Sequence, residues 1–256
     1  MNPQTEKFIF IRHLEDVNNL QEFMFDAPLK SNQKEILAHN TSKIRKNIEE
    51  KQKDVFIIHS SQKRSIETAH LLREEFIDTN FTFIEEKDID DFFQGKVILP
   101  DDYTPGDRFS VLQEAWNKFE LEAFDNKNLE YKFGQDNQAH FEVLGESAKN
   151  FLMRNYHFLN ELFSNKYNLN NTQTVICCHS TTILILMELL GVVSDERNLE
   201  RISTDPKELS FISWEIYKDK IKREFPSGIE YGAVFEFEIT DDQKTKMRSV
   251  LTKMTT

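Results

Sequence analysis

The segment FIFIRHLED, residues 8–16, determines how the rest of the chain is interpreted. Its four successive apolar residues, Phe8 to Ile11, are typical of a strand that is buried on both faces of a sheet. The apolar run stops at Arg12 and His13, a permanent cation beside an imidazole. In open α/β sheets, ligands bind beyond the carboxyl ends of the strands, so this pair predicts a functional site directly after the first strand.

Composition and charge narrow the class of protein. The chain has 256 residues, of which 39% are hydrophobic and 30% charged, and this fits one large domain or two small ones with a substantial core. We expect a single domain over residues 1–256. The net charge of −12 repels polyanions, so we expect no nucleic-acid partner. No stretch reaches the roughly 18–20 apolar residues of a membrane span, and the N-terminal MNPQTEK lacks the apolar region of a signal peptide. We therefore expect a cytoplasmic protein without a membrane partner; its oligomeric state is not readable.

Strand-like and helix-like segments alternate along the chain, which predicts an α/β fold: a three-layer α/β/α sandwich with a mostly parallel sheet. The predicted strands are 8–11, 54–60, 81–85, 174–179 and 233–239, and the predicted helices are 31–50, 62–76, 145–164 and 180–191. Ser61 and Ser180 are the predicted N-caps of two helices, and Gly191 should lie just past the end of the last one. Residues 96–140 are predicted to form an inserted lid, whereas 194–228 match no clear pattern.

Cationic and titratable side chains follow three of the predicted strands. Arg12 and His13 follow the first, Arg64 lies just past the second, and His179 ends the run TVICCH. If these strands are parallel neighbours, the four side chains converge, and the two helices that follow add N–H groups at their N-termini. Each feature alone is more typical of a surface cation, a helix cap or a hydrogen-bonded core histidine than of a functional site. Together they predict a pocket for a phosphate dianion, because the guanidinium fork suits that ligand.

These residues resemble the signature of the histidine phosphatase superfamily, the phosphoglycerate-mutase-like proteins. The motif Arg-His-Gly-Glu followed by an Asn stands as RHLEDVNN at 12–19, and Ser-Ser-Pro-x-x-Arg-x-x-x-Thr-Ala stands as SSQKRSIETA at 60–69. Further motifs match in the same order as DAPL at 26–29, GESAKNFLMR at 145–154 and VICCHS at 175–180. The resemblance covers about residues 7–192 and the last strand, and it implies the phosphatase branch of that superfamily.

Two residues depart from the family pattern. Leu14 stands where the family has a Gly after the nucleophile, and Ser180 stands where it has a Gly after the second His. We expect Leu14 to add bulk and Ser180 to add a hydroxyl near the phosphate. Such changes either narrow the substrate range or mark a site that has lost its chemistry.

The resemblance implies that His13 is the nucleophile, which attacks phosphorus in line and forms a phosphohistidine. The attacking nitrogen must be unprotonated, so we expect the other ring nitrogen to donate to a backbone carbonyl near the loop. Arg12, Arg64 and His179 are expected to hold the phosphate oxygens. Further substrate contacts are expected from Glu15, Asn19 and Ser180. We expect no metal and no cofactor, since the sequence shows no carboxylates clustered at metal-ligand spacing.

A general acid must protonate the leaving oxygen. The family places a carboxylic acid after the third strand, often as Leu-x-Glu-x-x-x-Gly, and here IDDFFQG at 89–95 puts Asp91 four residues before its Gly. Asp91 is therefore the predicted acid, with Asp90 and Glu146 as alternatives. The same acidic run is also typical of a solvated turn.

Three functions remain open at this level. The first is a phosphatase that acts on a small phosphorylated substrate, and the second is a phosphoglycerate-mutase-type phosphoryl transferase. The third is a catalytically inactive phosphate-binding homologue. A mutase is expected to carry a basic clamping segment after the acid, but QGKVILPDDYTPGDR at 94–108 offers only Lys96 and Arg108. The sequence favours the phosphatase, and its lid does not identify the substrate.

Overall fold

The computed structural model describes the chain in separate ranges: residues 5–17, 27–51, 54–76, 79–91, 95–98, 140–144, 148–164, 167, 172–194 and 229–255. The strands are β1 (Thr5–Arg12), β2 (Asp54–His59), β3 (Phe81–Glu85), β4 (Gly95–Ile98), β5 (His140–Leu144), β6 (Thr172–Cys178) and β7 (Val234–Thr240). The α-helices are α1 (Lys34–Lys51), α2 (Lys63–Glu75), α3 (Ala148–Phe163), α4 (Ser180–Ser194) and α5 (Asp241–Thr255). A short 3-10 helix spans Lys87–Ile89.

Five of these strands form one sheet in the order β3-β2-β6-β1-β7. The strands β1, β2, β3 and β6 run parallel, and β7 pairs with β1 in the antiparallel sense at one edge. Helix α2 packs against β2 and β6, α4 contacts β1, and α5 contacts β7, so helices flank the sheet. This arrangement confirms the predicted α/β class with a mostly parallel sheet.

Strand β1 is buried on both faces, as its apolar run predicts. Ile9 and Ile11 have no exposed surface and belong to a core cluster that includes Leu37 of α1. At an alternate position, Phe8 makes an edge contact with Phe163 of α3, and their ring centroids are 5.9 Å apart. Each buried side chain of this size contributes roughly 1.5–3 kcal/mol, so packing fixes the carboxyl end of β1.

The parallel register brings the carboxyl ends of β1, β2 and β6 to the same level of the sheet. Arg12 at the end of β1 lies opposite Cys178 of β6, and His59 at the end of β2 lies opposite Cys177. Both cysteines are free and buried. Side chains that follow these three strands therefore meet at one edge, as the sequence predicts.

The start of α2 differs from the prediction. Gln62, not Ser61, occupies the N-cap position, and the Gln62 side chain makes no capping hydrogen bond. The Ser61 hydroxyl instead donates to the Asp90 carboxylate at 2.6 Å. A charged acceptor in that position makes a stronger hydrogen bond than a neutral one, and it draws Ser61 away from the helix end.

Helix α4 also differs from the prediction at both ends. Ser180 is its first helical residue and not its cap, since Ile183 N–H already donates to the carbonyl of His179 at 2.9 Å. The helix continues through Gly191 to Ser194. One glycine costs only about 0.8–1.0 kcal/mol relative to alanine, which does not stop a helix whose sequence continues with two valines.

Several elements were not predicted. Helix α5 carries Asp241 and Asp242 in its first turn. Acidic residues at this position are typical of a helix start, but no helix was predicted there. Strands β4 and β5 form a separate antiparallel pair.

No helix within the described ranges is long and apolar enough to cross a membrane.

The chain divides into two compact units. One comprises Met1–Val17, Asp26–Asp91 and Arg154–Thr256, and it contains the five-stranded sheet. The other comprises Asn18–Phe25 and Phe92–Met153, and its described residues are those of β4, β5 and the first turns of α3. Most of the predicted lid at 96–140 and of the segment 194–228 lies outside the described residues.

Candidate active site

Three of the predicted site residues converge beyond the carboxyl ends of the strands. The ring centroids of His13, just after β1, and His179, just after β6, are 5.0 Å apart. Arg64, in the first turn of α2, directs its Nε–H at both rings, 3.2 Å from His13 Nε2 and 3.3 Å from His179 Nδ1. All three side chains are almost fully buried. The sequence therefore located this centre correctly from the ends of its strands.

The hydrogen bonds of His13 define its tautomer. Its Nδ1 lies 2.7 Å from the backbone carbonyl of Leu14, and its Nε2 accepts from Arg64. Because a carbonyl only accepts, the ring proton is assigned to Nδ1, and Nε2 carries the lone pair that accepts from Arg64. The backbone N–H of His13 also donates to the carbonyl of Cys178 at 2.9 Å. The predicted backbone carbonyl acceptor for one ring nitrogen of His13 is thus confirmed.

Burial keeps both site histidines neutral. Desolvation is the main reason that the pKa of His13 lies well below its usual value, and the neighbouring Arg64 lowers it further. Desolvation likewise sets the pKa of His179 well below its usual value, followed by the effects of His13 and Arg64. A neutral imidazole at His13 is the form that a nucleophile requires.

Ser60 completes the environment of His179, although it was not among the predicted site residues. The Ser60 Oγ atom lies 2.7 Å from His179 Nε2 and has no exposed surface. Because Arg64 donates to Nδ1 of the same ring, the proton of His179 is assigned to Nε2, which donates to Ser60. The doubled serine in SSQKR was the sequence signal for this contact.

Arg64 is held by acidic side chains on two segments. Its Nη2 donates to Asp91 Oδ2 at 3.0 Å, and its Nε lies 3.7 Å from Asp16 Oδ2. One turn along α2, the Thr68 hydroxyl donates to the Arg64 carbonyl at 2.7 Å and accepts from the Leu14 N–H at 3.0 Å. These contacts tie α2 to the loop after β1, so the guanidinium and His13 are fixed relative to each other.

Arg12 lies beside this centre and stacks on an aromatic ring. Its guanidinium carbon is 3.8 Å from the ring centroid of Tyr231, which is itself 5.5 Å from the His13 ring centroid. Among the described residues, the buried Nε of Arg12 has no hydrogen-bond partner. Burial lowers the pKa of Arg12, against the opposing effect of Tyr231 and of two aspartates. Tyr231 was not predicted, since only the fold brings residue 231 next to residue 12.

The structure separates the two adjacent candidate acids. The Asp90 carboxylate accepts from the Ser61 N–H and hydroxyl, each at 2.6 Å, whereas the Asp91 carboxylate faces Arg64 and lies 3.8 Å from His179 Nδ1. Desolvation raises the pKa of Asp90 against the effect of its bonds to Ser61. Asp91, with a side chain 30% exposed, is therefore the aspartate placed with the cluster. Glu146 lies outside the described residues.

The expectation that Leu14 adds bulk near the phosphate is wrong. Its side chain has no exposed surface and belongs to the hydrophobic core. A Cβ atom added at Gly232, which has a φ of +71°, would lie 3.0 Å from Leu14 Cδ2. The side chain therefore packs beneath the turn that carries Tyr231, and the glycine in that turn makes room for it.

The three predicted substrate-contact residues have different positions. The Ser180 hydroxyl accepts from the backbone N–H of Ile229 at 3.1 Å. Glu15 pairs with Lys30 at 2.5 Å on the surface, with a side chain that is 41% exposed. Asn19 lies outside the described residues. The structure thus does not bring Glu15 into the His13 cluster.

A second group of titratable side chains forms only on folding. Asp88, His157 and Glu161 offer ligand atoms within 4.8 Å of one another, a cluster that is not visible in the sequence. His157 Nδ1 contacts the Asp88 carboxylate, and its Nε2 lies 3.8 Å from Glu161. The histidine thus has carboxylate partners on both sides, and the group bridges α3 and the 3-10 helix.

Comparisons with known proteins reveal relatives of the fold. No protein-family model matches the chain, and no curated protein matches it. Among solved structures, it is similar to a mycobacterial glucosyl-3-phosphoglycerate phosphatase, with a TM-score of 0.56, 13% identity, and 92% of this chain and 91% of that chain covered. It is similar to an α-ribazole phosphatase from Shigella flexneri, with a TM-score of 0.53, 14% identity and 92% of each chain covered.

A third similar structure is that of a mutase and not of a phosphatase. It is a phosphoglycerate mutase from Bacillus anthracis, with a TM-score of 0.52, 14% identity, and 96% of this chain and 98% of that chain covered. These proteins belong to the histidine phosphatase superfamily, whose fold this chain therefore shares. At such identities the likeness establishes the fold, and the chemistry must be argued from the site.

Proposed function

We propose that this chain, which has the histidine phosphatase fold, is a metal-independent phosphatase that hydrolyses a small phosphomonoester through a phosphohistidine on His13. The observation that carries the proposal is the state of that side chain: neutral, buried, bonded through Nδ1 to the Leu14 carbonyl, and with Nε2 facing Arg64. A lone pair directed at a guanidinium places a nucleophile beside the group that would hold a phosphate oxygen.

The reaction takes place in two displacements. The Nε2 lone pair of His13 attacks phosphorus in line, the P–O bond to the leaving group breaks, and Asp91 supplies the proton to the departing oxygen. Water then attacks the phosphohistidine, the P–N bond breaks, and Asp91 takes the proton from that water. His13 and Asp91 return to their starting states, so the cycle needs no further reactant.

Charge in the cluster suits a dianion. Among the described residues, the buried Nε–H of Arg12 has no hydrogen-bond partner, and Arg64 directs its Nε–H at two uncharged histidine nitrogens. A phosphate oxygen is a stronger acceptor than either ring, so the Arg64 N–H would turn to it on binding. The dianion would also favour proton uptake at His179 Nδ1, which would then donate to another oxygen.

The position of Leu14 supports an active enzyme over an inactive homologue. Its side chain lies in the core, so the residue that departs from the family pattern leaves the phosphate position free. A mutase remains the less favoured alternative, because 94–108 supplies few basic residues for a sugar-acid substrate. We propose a phosphatase for these reasons, with a small phosphorylated molecule as its ligand.

The test is hydrolysis of p-nitrophenyl phosphate with EDTA present, comparing wild type with His13→Ala. The expected result is turnover in the wild type and none in the variant, because the nucleophile is lost. His70→Ala is the matched control, since His70 is exposed on α2 and stacks on Phe83. Equal turnover in wild type and His13→Ala, or dependence on an added metal, would refute the proposal.

A further inference from the structure

A single guanidinium holds the backbone of the segment that carries the candidate acid. Arg154 of α3 donates through Nη1 to the carbonyls of Asp88 and Asp90, each at 2.7 Å. Its Nη2 donates to the carbonyl of Asp91 at 3.0 Å. Three acceptors within four residues converge on one side chain, so the guanidinium determines the path of the backbone there.

Both aspartates of the segment have further contacts, and the Asp91 carboxylate accepts from Arg64 Nη2 at 3.0 Å. The Asp90 carboxylate is bound by Ser61, and its carbonyl also accepts from the Thr182 hydroxyl at 3.3 Å. The direction in which the Asp91 side chain points depends on the peptide that joins these two residues. The Arg154 fork binds the carbonyls on both sides of the Asp91 Cα.

We infer that Arg154 is a positioning residue, which sets the carboxyl group of Asp91 against the leaving oxygen without touching the reacting atoms. This inference rests on the proposed function and on Asp91 as the acid. Lysine cannot take over the role, because an ammonium is a point charge and lacks the planar fork that reaches three carbonyls at once. A shift of the acid by a fraction of an ångström would weaken proton transfer and leave the phosphate-holding groups in place.

Leaving-group dependence separates this role from a merely structural one. We would compare kcat/KM for p-nitrophenyl phosphate, a good leaving group, with that for an alkyl phosphate, in wild type, Arg154→Gln and Arg154→Lys. The alkyl ester should lose at least about 10-fold more than the aryl ester, since general acid catalysis contributes roughly 10²- to 10⁴-fold. In an Asp91→Asn background, the same substitutions should change the alkyl rate little, because the acid is already gone.

Two controls keep the outcome specific. His157, one turn further along α3, contacts the Asp88 side chain, so His157→Gln should leave the alkyl-to-aryl ratio unchanged. Thermal unfolding of each variant shows whether the fold is retained. Equal losses on both esters, full rescue by Arg154→Lys, or additive losses in the Asp91→Asn background would overturn the inference.

Amide hydrogen exchange provides a readout that does not depend on activity. Exchange at residues 87–91 should be at least about 10-fold faster in Arg154→Gln than in wild type, with β2 and β6 unchanged. Unchanged exchange at 87–91 would overturn the positioning role. An inactive wild type with faster exchange in the variant would instead contradict the proposed function, while the role of Arg154 in holding the segment would stand.

Discussion

The Nε atom of Arg64 lies 3.2 Å from Nε2 of His13 and donates to it, so Nε2 is the unprotonated nitrogen of the imidazole. The same N–H lies 3.3 Å from Nδ1 of His179, so one donor is shared between two neutral rings. Neither ring is as strong an acceptor as an anionic oxygen. The arrangement is therefore poised to exchange a weak shared hydrogen bond for a strong one when a phosphate binds.

Arg64→Gln is expected to lower kcat/KM for p-nitrophenyl phosphate by roughly 10²- to 10³-fold, the cost of losing one preorganised donor to a developing charge. Arg64→Lys should recover only part of this, because it restores the charge but not the fork. Inhibition by vanadate should weaken in parallel. Arg73→Gln, an exposed arginine at the other end of α2, is the control, and equal effects at both positions would contradict this assignment.

Tyr231→Ala should weaken binding of inorganic phosphate by about 2- to 30-fold, the equivalent of a cation–π contact of roughly 0.5–2 kcal/mol. The reason is that the ring orients Arg12, 3.8 Å from its centroid. Tyr231→Phe keeps the ring and should bind phosphate like the wild type. The measurement is competitive inhibition by phosphate, and a Phe variant as weak as the Ala variant would show that the hydroxyl matters instead.

Leu14→Ala should lower the free energy of unfolding by about 2–5 kcal/mol, since it opens a cavity in a fully buried site. Urea unfolding measures this, with Val17→Ala as the control because Val17 is 37% exposed. A loss as small as that of the control, together with a gain in turnover of bulky substrates, would place the Leu14 side chain in the pocket and contradict the structure.

Stability should fall on mild acidification. The pKa values of His13 and His179 lie well below the ordinary value in the folded state, whereas in the unfolded chain they return to about 6.5. The unfolded state therefore binds more protons below about pH 6.5, and the free energy of unfolding decreases there by up to roughly 1.4 kcal/mol per pH unit for each histidine.

Urea unfolding between about pH 5 and 7.5 tests this dependence, because the two histidines of the unfolded chain become protonated within that range. Replacement of one of the two histidines, as in His179→Gln, should remove its share of the slope. Stability that is independent of pH in this window, or that rises on acidification, would contradict buried neutral histidines. His157→Gln serves as the exposed control.

Much of the site followed from the sequence because it lies at the ends of strands. The apolar runs before His13 and His179 identified two parallel strands, and the spacing within SSQKR placed Arg64 in the first turn of a helix. These are local patterns. Because the carboxyl ends of parallel strands lie at the same edge of a sheet, they predicted that His13, Arg64 and His179 lie close together.

The parts that sequence reasoning missed depend on contacts between distant segments. Tyr231 reaches Arg12 because β7 pairs with β1. The sequence predicted the last strand but not its partner in the sheet. Leu14 was expected in the pocket because its neighbour is His13, but its side chain turns into the core against Gly232. Two further contacts join segments that are far apart in sequence: Ser61 donates to the Asp90 carboxylate, and Arg154 donates to the Asp90 carbonyl. A periodic sequence pattern does not reveal contacts of this kind.

The most direct measurement is to locate the phosphoryl group during turnover. Wild type would be mixed rapidly with a labelled phosphomonoester, quenched in base, in which phosphohistidine survives, and digested for peptide mapping. The account predicts an acid-labile label on the peptide that contains His13 and no label in His13→Ala. Turnover in the wild type with no labelled protein, or with the label on any other residue, would contradict it.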